Sequence, residues 1–163
     1  HSFWIPALGG KTDMFPGRIT RMTLAPSQTG TFRGQCAEFC GLSHALMAIP
    51  AVVMEPDAFE DWLADQARPA DLSVPGRAVF LREGCGACHT IRGTPAAGRV
   101  GPDLTHLGGR TALAAGILPM TAEALRAWIS NPEAVKPGAE MPAYDHLSDT
   151  DMTALAAYLM GLE

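Results

Sequence analysis

No stretch of the 163-residue chain approaches the roughly 18 consecutive apolar residues that would cross a bilayer. No charged-then-apolar leader precedes the first residue, which is His1 rather than Met. The chain therefore reads as a soluble mature form or a piece of a longer product. Basic charge is also in short supply: 12 Lys and Arg against 17 Asp and Glu leave a formal net charge of −5. That balance argues against nucleic acid and gives an acidic surface able to steer a basic partner. Cysteine is limited to four residues, which in an exported chain ordinarily means two disulfides. Their spacing points elsewhere.

Cys85-Gly86-Ala87-Cys88-His89 is a CxxC followed directly by histidine. This is the attachment sequence of c-type haem, in which both thiols become thioether bonds and the imidazole becomes an iron ligand. A thioredoxin-like redox pair is also CxxC, but the strand-helix-strand pattern rich in β-branched residues that would surround it is absent. The other two cysteines fall in Cys36-Ala37-Glu38-Phe39-Cys40-Gly41-Leu42-Ser43-His44-Ala45-Leu46-Met47. Both groups suggest electron transfer. No further residue set offers a second haem or a histidine cluster for a catalytic metal, so oxygen reduction does not reside in this chain.

Composition divides the chain. Arg68-Pro69-Ala70-Asp71-Leu72-Ser73-Val74-Pro75 is short, polar and flanked by prolines, and reads as a linker between a domain at 1–67 and one at 76–163. A flexible span of about seven residues reaches roughly 15 Å, which keeps tethered domains at millimolar effective concentration. Upstream, Met22 and Leu24 alternate with Arg21 and Thr23, and residues 48–54 form an apolar run, so both predict strands. Residues 56–67 predict a helix that closes the first domain, with Phe59, Trp62 and Leu63 on one face and acids on the other. Downstream, helices are predicted at 77–83, 121–130 and 148–159, the last opening with a capping-box-like Ser148-x-x-Asp151. The stretch 93–109 is too rich in Gly and Pro for either element. The result is a small all-α domain of about ninety residues, too few to build a full core without the haem.

Charge suggests two faces. Arg77, Arg82, Arg92, Arg99 and Arg110 surround the haem sequence, while Glu55, Asp57, Glu60, Asp61 and Asp65 crowd the end of the first domain. Two solvated faces are the simpler reading; the other is that the arginines lean on the acidic helix.

A c-type haem iron takes a second axial ligand, and a thioether raises its reduction potential. Met152 and Met160 fall in the last helix, where packing accounts for them. Met120 follows Pro119 in a loop, and Met141 sits in Lys136-Pro137-Gly138-Ala139-Glu140-Met141-Pro142, whose prolines fix the backbone; spacing favours Met141. Gly101-Pro102-Asp103-Leu104 and the Pro-Gly-x-x-Met-Pro run resemble class I cytochromes c. The resemblance implies that Met141 is the distal ligand and that the Pro102 carbonyl accepts the Nδ1–H of His89. His106 and His146 match no ligand position and read as surface or loop histidines.

The first cluster has rarer chemistry. Cys36, Cys40 and His44 suit zinc in part, but Met47 is a poor zinc ligand. Thiolate, imidazole and weak thioether together suit copper. Two copper ions sharing both thiolates need a second imidazole, and His1 is the only histidine upstream.

That constellation resembles the binuclear copper A centre of cytochrome c oxidase subunit II. The likeness covers residues 1 to about 67, through His1-Ser2-Phe3-Trp4-Ile5-Pro6, Lys11-Thr12-Asp13, Pro16-Gly17-Arg18, Gly34-Gln35-Cys36-x-Glu38-x-Cys40-Gly41 and His44-x-x-Met47. It implies that Cys36 and Cys40 bridge, that His1 and His44 terminate, and that Met47 and the Glu38 carbonyl each bind one copper. It further implies a magnesium ion at the Glu38 side chain on the subunit I boundary. Nitrous oxide reductase is similar at the Cys, His and Met positions, but usually has an aromatic residue where Glu38 stands and lacks a C-terminal cytochrome. Subunit II with a fused cytochrome c, as in caa-type bacterial oxidases, uses both motifs.

The expected architecture is thus an incomplete cupredoxin-like β-sandwich followed by an all-α class I cytochrome c domain. A sandwich of this type needs on the order of 100 residues and about seven strands, more than residues 1–55 supply. The resemblance implies electron flow from an external donor, a cytochrome c or a quinol-oxidising complex, through haem c and copper A to haem a of subunit I. It places the chain on the periplasmic or outer face of the bacterial cytoplasmic membrane, held there by a membrane hairpin outside this sequence. The alternative is a c-type electron carrier with a non-functional remnant copper domain.

Overall fold

The computed structural model describes residues 1–71 and 76–163. The first half is one antiparallel sheet of four strands, β1 (Ser2–Trp4), β2 (Lys11–Asp13), β3 (Gly30–Cys36) and β4 (Ala48–Val53), in the order β2-β1-β3-β4. It is a single layer, so the two-layered sandwich is not formed by these residues. Close approach fixes its centre: a Cβ at Gly34 would lie 2.5 Å from the Trp4 carbonyl oxygen and 2.6 Å from Ile5 Cγ1, so only glycine lets β3 pass beside the end of β1. Met22 and Leu24 lie outside any strand, contrary to their alternation; their side chains rest on Gly9 instead. Four alternating residues next to Pro26 are too few to outweigh that local packing.

Helix α1 (Pro56–Gln66) starts with proline at its first position, where the missing N–H is not needed. It does not close a core. Phe59, Trp62 and Leu63 share a face as expected, yet all stay between 43% and 46% exposed. Phe59 and Trp62, with Val52 and Met54 beyond them, line an open groove of about 700 Å³ that reaches Arg92, Asp103 and Arg110.

The second half packs α2 (Arg77–Arg82), α3 (Ala122–Ser130), the short α4 (Pro132–Val135) and α5 (Asp149–Met160) around Phe80, Ile91, Leu125, Ile129, Leu155, Tyr158 and Leu162. The Phe80 and Tyr158 rings meet at 5.8 Å. Two of the predicted helices, α3 and α5, start on a side-chain cap: the Thr121 Oγ1 and Ser148 Oγ accept from the amides of Ala124 and Asp151, each at 3.1 Å. The half is not purely helical. Ala112–Leu113 (β5) pairs with Leu118–Pro119 (β6) around a turn that holds Ala114 and Ala115 at φ of 51° and 63°. A two-residue ladder carries too little alternation to be read from sequence.

The expected linker is fixed over its first residues. The Ala70 amide donates to the Arg92 carbonyl at 3.1 Å, the His106 Nε2 to the Arg68 carbonyl at 3.0 Å, and Ala70 is buried in the second core. Residues 72–75, its remainder, lie outside the described residues. The Arg92 guanidinium reaches α1, but it hydrogen-bonds the terminal carbonyls of Gln66 and Ala67 rather than a carboxylate. Among the described residues no ion pair joins the five arginines to the five acids; Asp65 pairs with Arg68, and Arg82 with Glu83 and Asp151. A helix C-terminus is the negative end of its dipole, and that end takes the cation.

Candidate functional site

Two clusters of metal-ligating side chains form, one in each half. Register builds the first. Pairing of Phe3 with Cys36 brings the start of β1 to the end of β3, and the His1 carbonyl accepts the Met14 amide at 2.9 Å, which fixes the residue. The loop leaving β3 turns through a short 3-10 segment, His44–Leu46, and re-enters at β4. Its neck is tied by the Cys36 amide donating to the Met47 carbonyl at 3.0 Å.

Around that neck the Cys36 and Cys40 sulfurs lie 3.7 Å apart. Both are free thiols, since a disulfide needs about 2.05 Å. His1 Nδ1 is 3.8 Å from Cys36, and His44 Nδ1 is 3.5 Å from Cys40. The Met47 sulfur is 3.8 Å from Cys40, and the Glu38 carbonyl oxygen 3.1 Å from Cys36. The donors therefore form a symmetric row of imidazole, thiol, thiol and imidazole, with a thioether on one side and a carbonyl on the other. His1, Cys36 and Cys40 offer ligand atoms within 4.8 Å of one another.

The thiols differ in acidity. Burial works to raise Cys36, but backbone hydrogen bonds at Glu38 and Ser2, with Cys40 and His44 beyond them, outweigh it and hold it at about 7. Cys40 is pushed up, first by burial and then by Cys36. One thiolate thus forms readily, and a metal displaces the second proton. Soft thiolates, imidazoles and a thioether fit two adjacent copper ions. The Glu38 carboxylate is exposed, and among the described residues no set of oxygen or nitrogen ligands gathers around it. The expected magnesium site finds no support in this chain.

The second cluster is the Cys85–Ala87 3-10 turn with Cys88 and His89. Burial raises the Cys85 thiol, and the nearby Tyr144 hydroxyl works against that rise. His89 Nδ1 lies 2.8 Å from the Pro102 carbonyl, which can only accept, so Nδ1 carries the proton and Nε2 is the free donor. A Cβ at Gly101 would lie 2.4 Å from His89 Cε1: the imidazole lies over bare backbone in a cradle only glycine leaves open. The attachment turn and the held imidazole fit a covalent haem. Met120 and Met141 both pack, half-buried, at the edge of the core.

Neither remaining histidine joins a cluster. His106 binds the Arg68 carbonyl, and His146 Nε2 meets Glu83 at 3.1 Å. With Arg82, His146 holds the Glu83 carboxyl below its usual range. Tyr144, beside Cys85, carried no signal in the sequence, since the fold alone brings these distant positions together. Gly101 was visible as part of its motif, but the need for glycine shows only when the ring is seen above it.

Donor sets of this kind move electrons. Residues 73–163 match the family model for cytochrome c, and the chain belongs to that family. The other half is more particular: residues 1–55 match the family model described as cytochrome c oxidase subunit II, periplasmic domain. Proteins called cytochrome c oxidase subunit 2 align with the whole chain. That of Alkalihalophilus pseudofirmus is 44% identical, and the chain covers 48% of it. Those of Bacillus sp. strain PS3 and Bacillus subtilis are 37% and 34% identical, and the chain covers 50% of each. The chain spans about half the length of these relatives.

Proposed function

We propose that this chain is the electron-entry part of a terminal oxidase, passing single electrons from an external donor to its copper site and on to haem a of subunit I. Haem c and a binuclear copper centre, when bound, supply reversible one-electron chemistry. Cys85 and Cys88 anchor the haem, His89 and Met141 ligate its iron, and the Pro102 carbonyl orients the His89 ring. Cys36, Cys40, His1, His44, Met47 and the Glu38 carbonyl would hold the copper pair. Oxygen reduction takes place in subunit I, the chain works on the periplasmic face, and its donor is a cytochrome c or a quinol-oxidising complex.

The observation that carries this reading is the convergence of six potential copper donors from two separate segments, each 3.1–3.8 Å from a cysteine sulfur or its neighbour. A remnant domain has no reason to keep that order, which disfavours a carrier with a dead copper half. Low-temperature electron paramagnetic resonance of the oxidised, copper-reconstituted protein tests it. A many-line copper pattern from one electron shared over two nuclei, beside a low-spin haem signal, is expected. Ordinary mononuclear copper, or none, sinks the relay.

A further inference from the structure

The loop that carries His44 and the loop that leads to Met141 touch. Ser43 precedes the 3-10 turn His44–Leu46, the position where a serine side chain ordinarily accepts an amide hydrogen bond from its own turn. It makes no such cap. Its Oγ instead donates to the Pro137 carbonyl in the other half of the molecule, at 2.5 Å. Beside it, a Cβ at Gly138 would lie 3.6 Å from the Cβ and Cδ1 of Leu42, an ordinary packing distance.

Both partners are held. The Gly138 amide donates to Glu133 Oε2 at 2.8 Å and the Ala139 amide to the Lys136 carbonyl at 3.1 Å, which fixes the Pro137 carbonyl from behind. On the other side, the tied neck from Cys36 to Met47 keeps Ser43 in register with His44. A second bond across the boundary, from the Ala48 amide to the Ala115 carbonyl at 2.9 Å, seats the base of the same loop.

We propose that the Ser43 hydroxyl and the Pro137 carbonyl form the junction that holds the two ligand-bearing loops together and through which the two redox sites of this chain exchange electrons. The inference rests on the relay reading above and adds a positioning residue to it. The step served is a one-electron exchange: the haem iron is oxidised by one unit, the copper pair is reduced by one unit, and no bond or proton moves. The path runs from the Met141 segment through the Pro137 carbonyl and the Ser43 hydroxyl into the backbone of His44.

The test uses the haem- and copper-loaded protein, with the haem reduced by a flash and its reoxidation followed as copper is reduced. Ser43→Ala should slow the exchange severalfold, because the hydrogen-bonded link across the boundary is lost, and Ser43→Thr should restore it. Both midpoint potentials and both resonance spectra should stay unchanged in Ser43→Ala. Amide hydrogen exchange should rise together at residues 42–44 and 137–139. A wild-type rate with unchanged protection in Ser43→Ala overturns the junction, and so does a shift of either potential, because the effect would then lie in a site. Failure of the wild-type protein to pass electrons from haem to copper overturns the relay itself, a result seen without any variant.

Discussion

His89 is held from two directions, and each hold is a single atom's work. The Pro102 carbonyl fixes the tautomer and the Gly101 backbone leaves room for the ring face. Gly101→Ala places a methyl 2.4 Å from Cε1, so the ring or the 98–102 segment must shift. Overpacking of this kind costs about 1–3 kcal/mol. The expected outcome is a lowered haem midpoint potential and a weakened sulfur-to-iron charge-transfer band in the holoprotein; an unchanged band and potential would show that the cradle is not needed. Cys36 and Cys40 show the same economy of means. Adjacent thiols with unequal acidity follow from unequal hydrogen bonding, because Cys36 lies among backbone groups that Cys40 does not reach.

Helix α5 draws its start from Ser148, whose Oγ accepts the Asp151 amide at 3.1 Å. Ser148→Ala should lower the stability of the holoprotein by about 1 kcal/mol in urea titration, with the haem spectrum unaltered; no change in midpoint would mean that water replaces the cap. Such helices were legible in the sequence because capping and apolar spacing are local and agree with one another. The same holds for β4, where Ala48–Val53 is continuously apolar. Legibility ended where the outcome depends on a distant partner. Met22 and Leu24 alternate like a strand, yet they lie on Gly9. Phe59, Trp62 and Leu63 form the apolar face they promise, yet no second layer among the described residues covers it. Clustered donor types were readable at both sites because they are packed into short motifs. His1 was tied to its cluster only by the need for a second imidazole and by resemblance, since the pairing of β1 with β3 that brings it there is not local. Ser43 and Tyr144 carried no signal, because each matters through a contact made in the folded chain.

The two halves meet through hydrogen bonds to main-chain carbonyls, at Gln66, Ala67, Arg68, Ala115 and Pro137. Contacts of this sort are little affected by ionic strength, whereas exposed carboxylate pairs are screened within about 10 Å at 0.1 M salt. The rate of electron exchange between the two sites should therefore stay flat as salt rises from low ionic strength to about that of the cell. A steep fall would restore the picture of arginines leaning on an acidic helix. The anchoring of Arg68 and Ala70 to the second half carries one more consequence. Covalent continuity and spatial fixation are separate properties of this molecule: the grip between the halves includes the Ala48 amide on Ala115 and the Ser43 hydroxyl on Pro137, far along the chain from where Arg68 and Ala70 reach the second half.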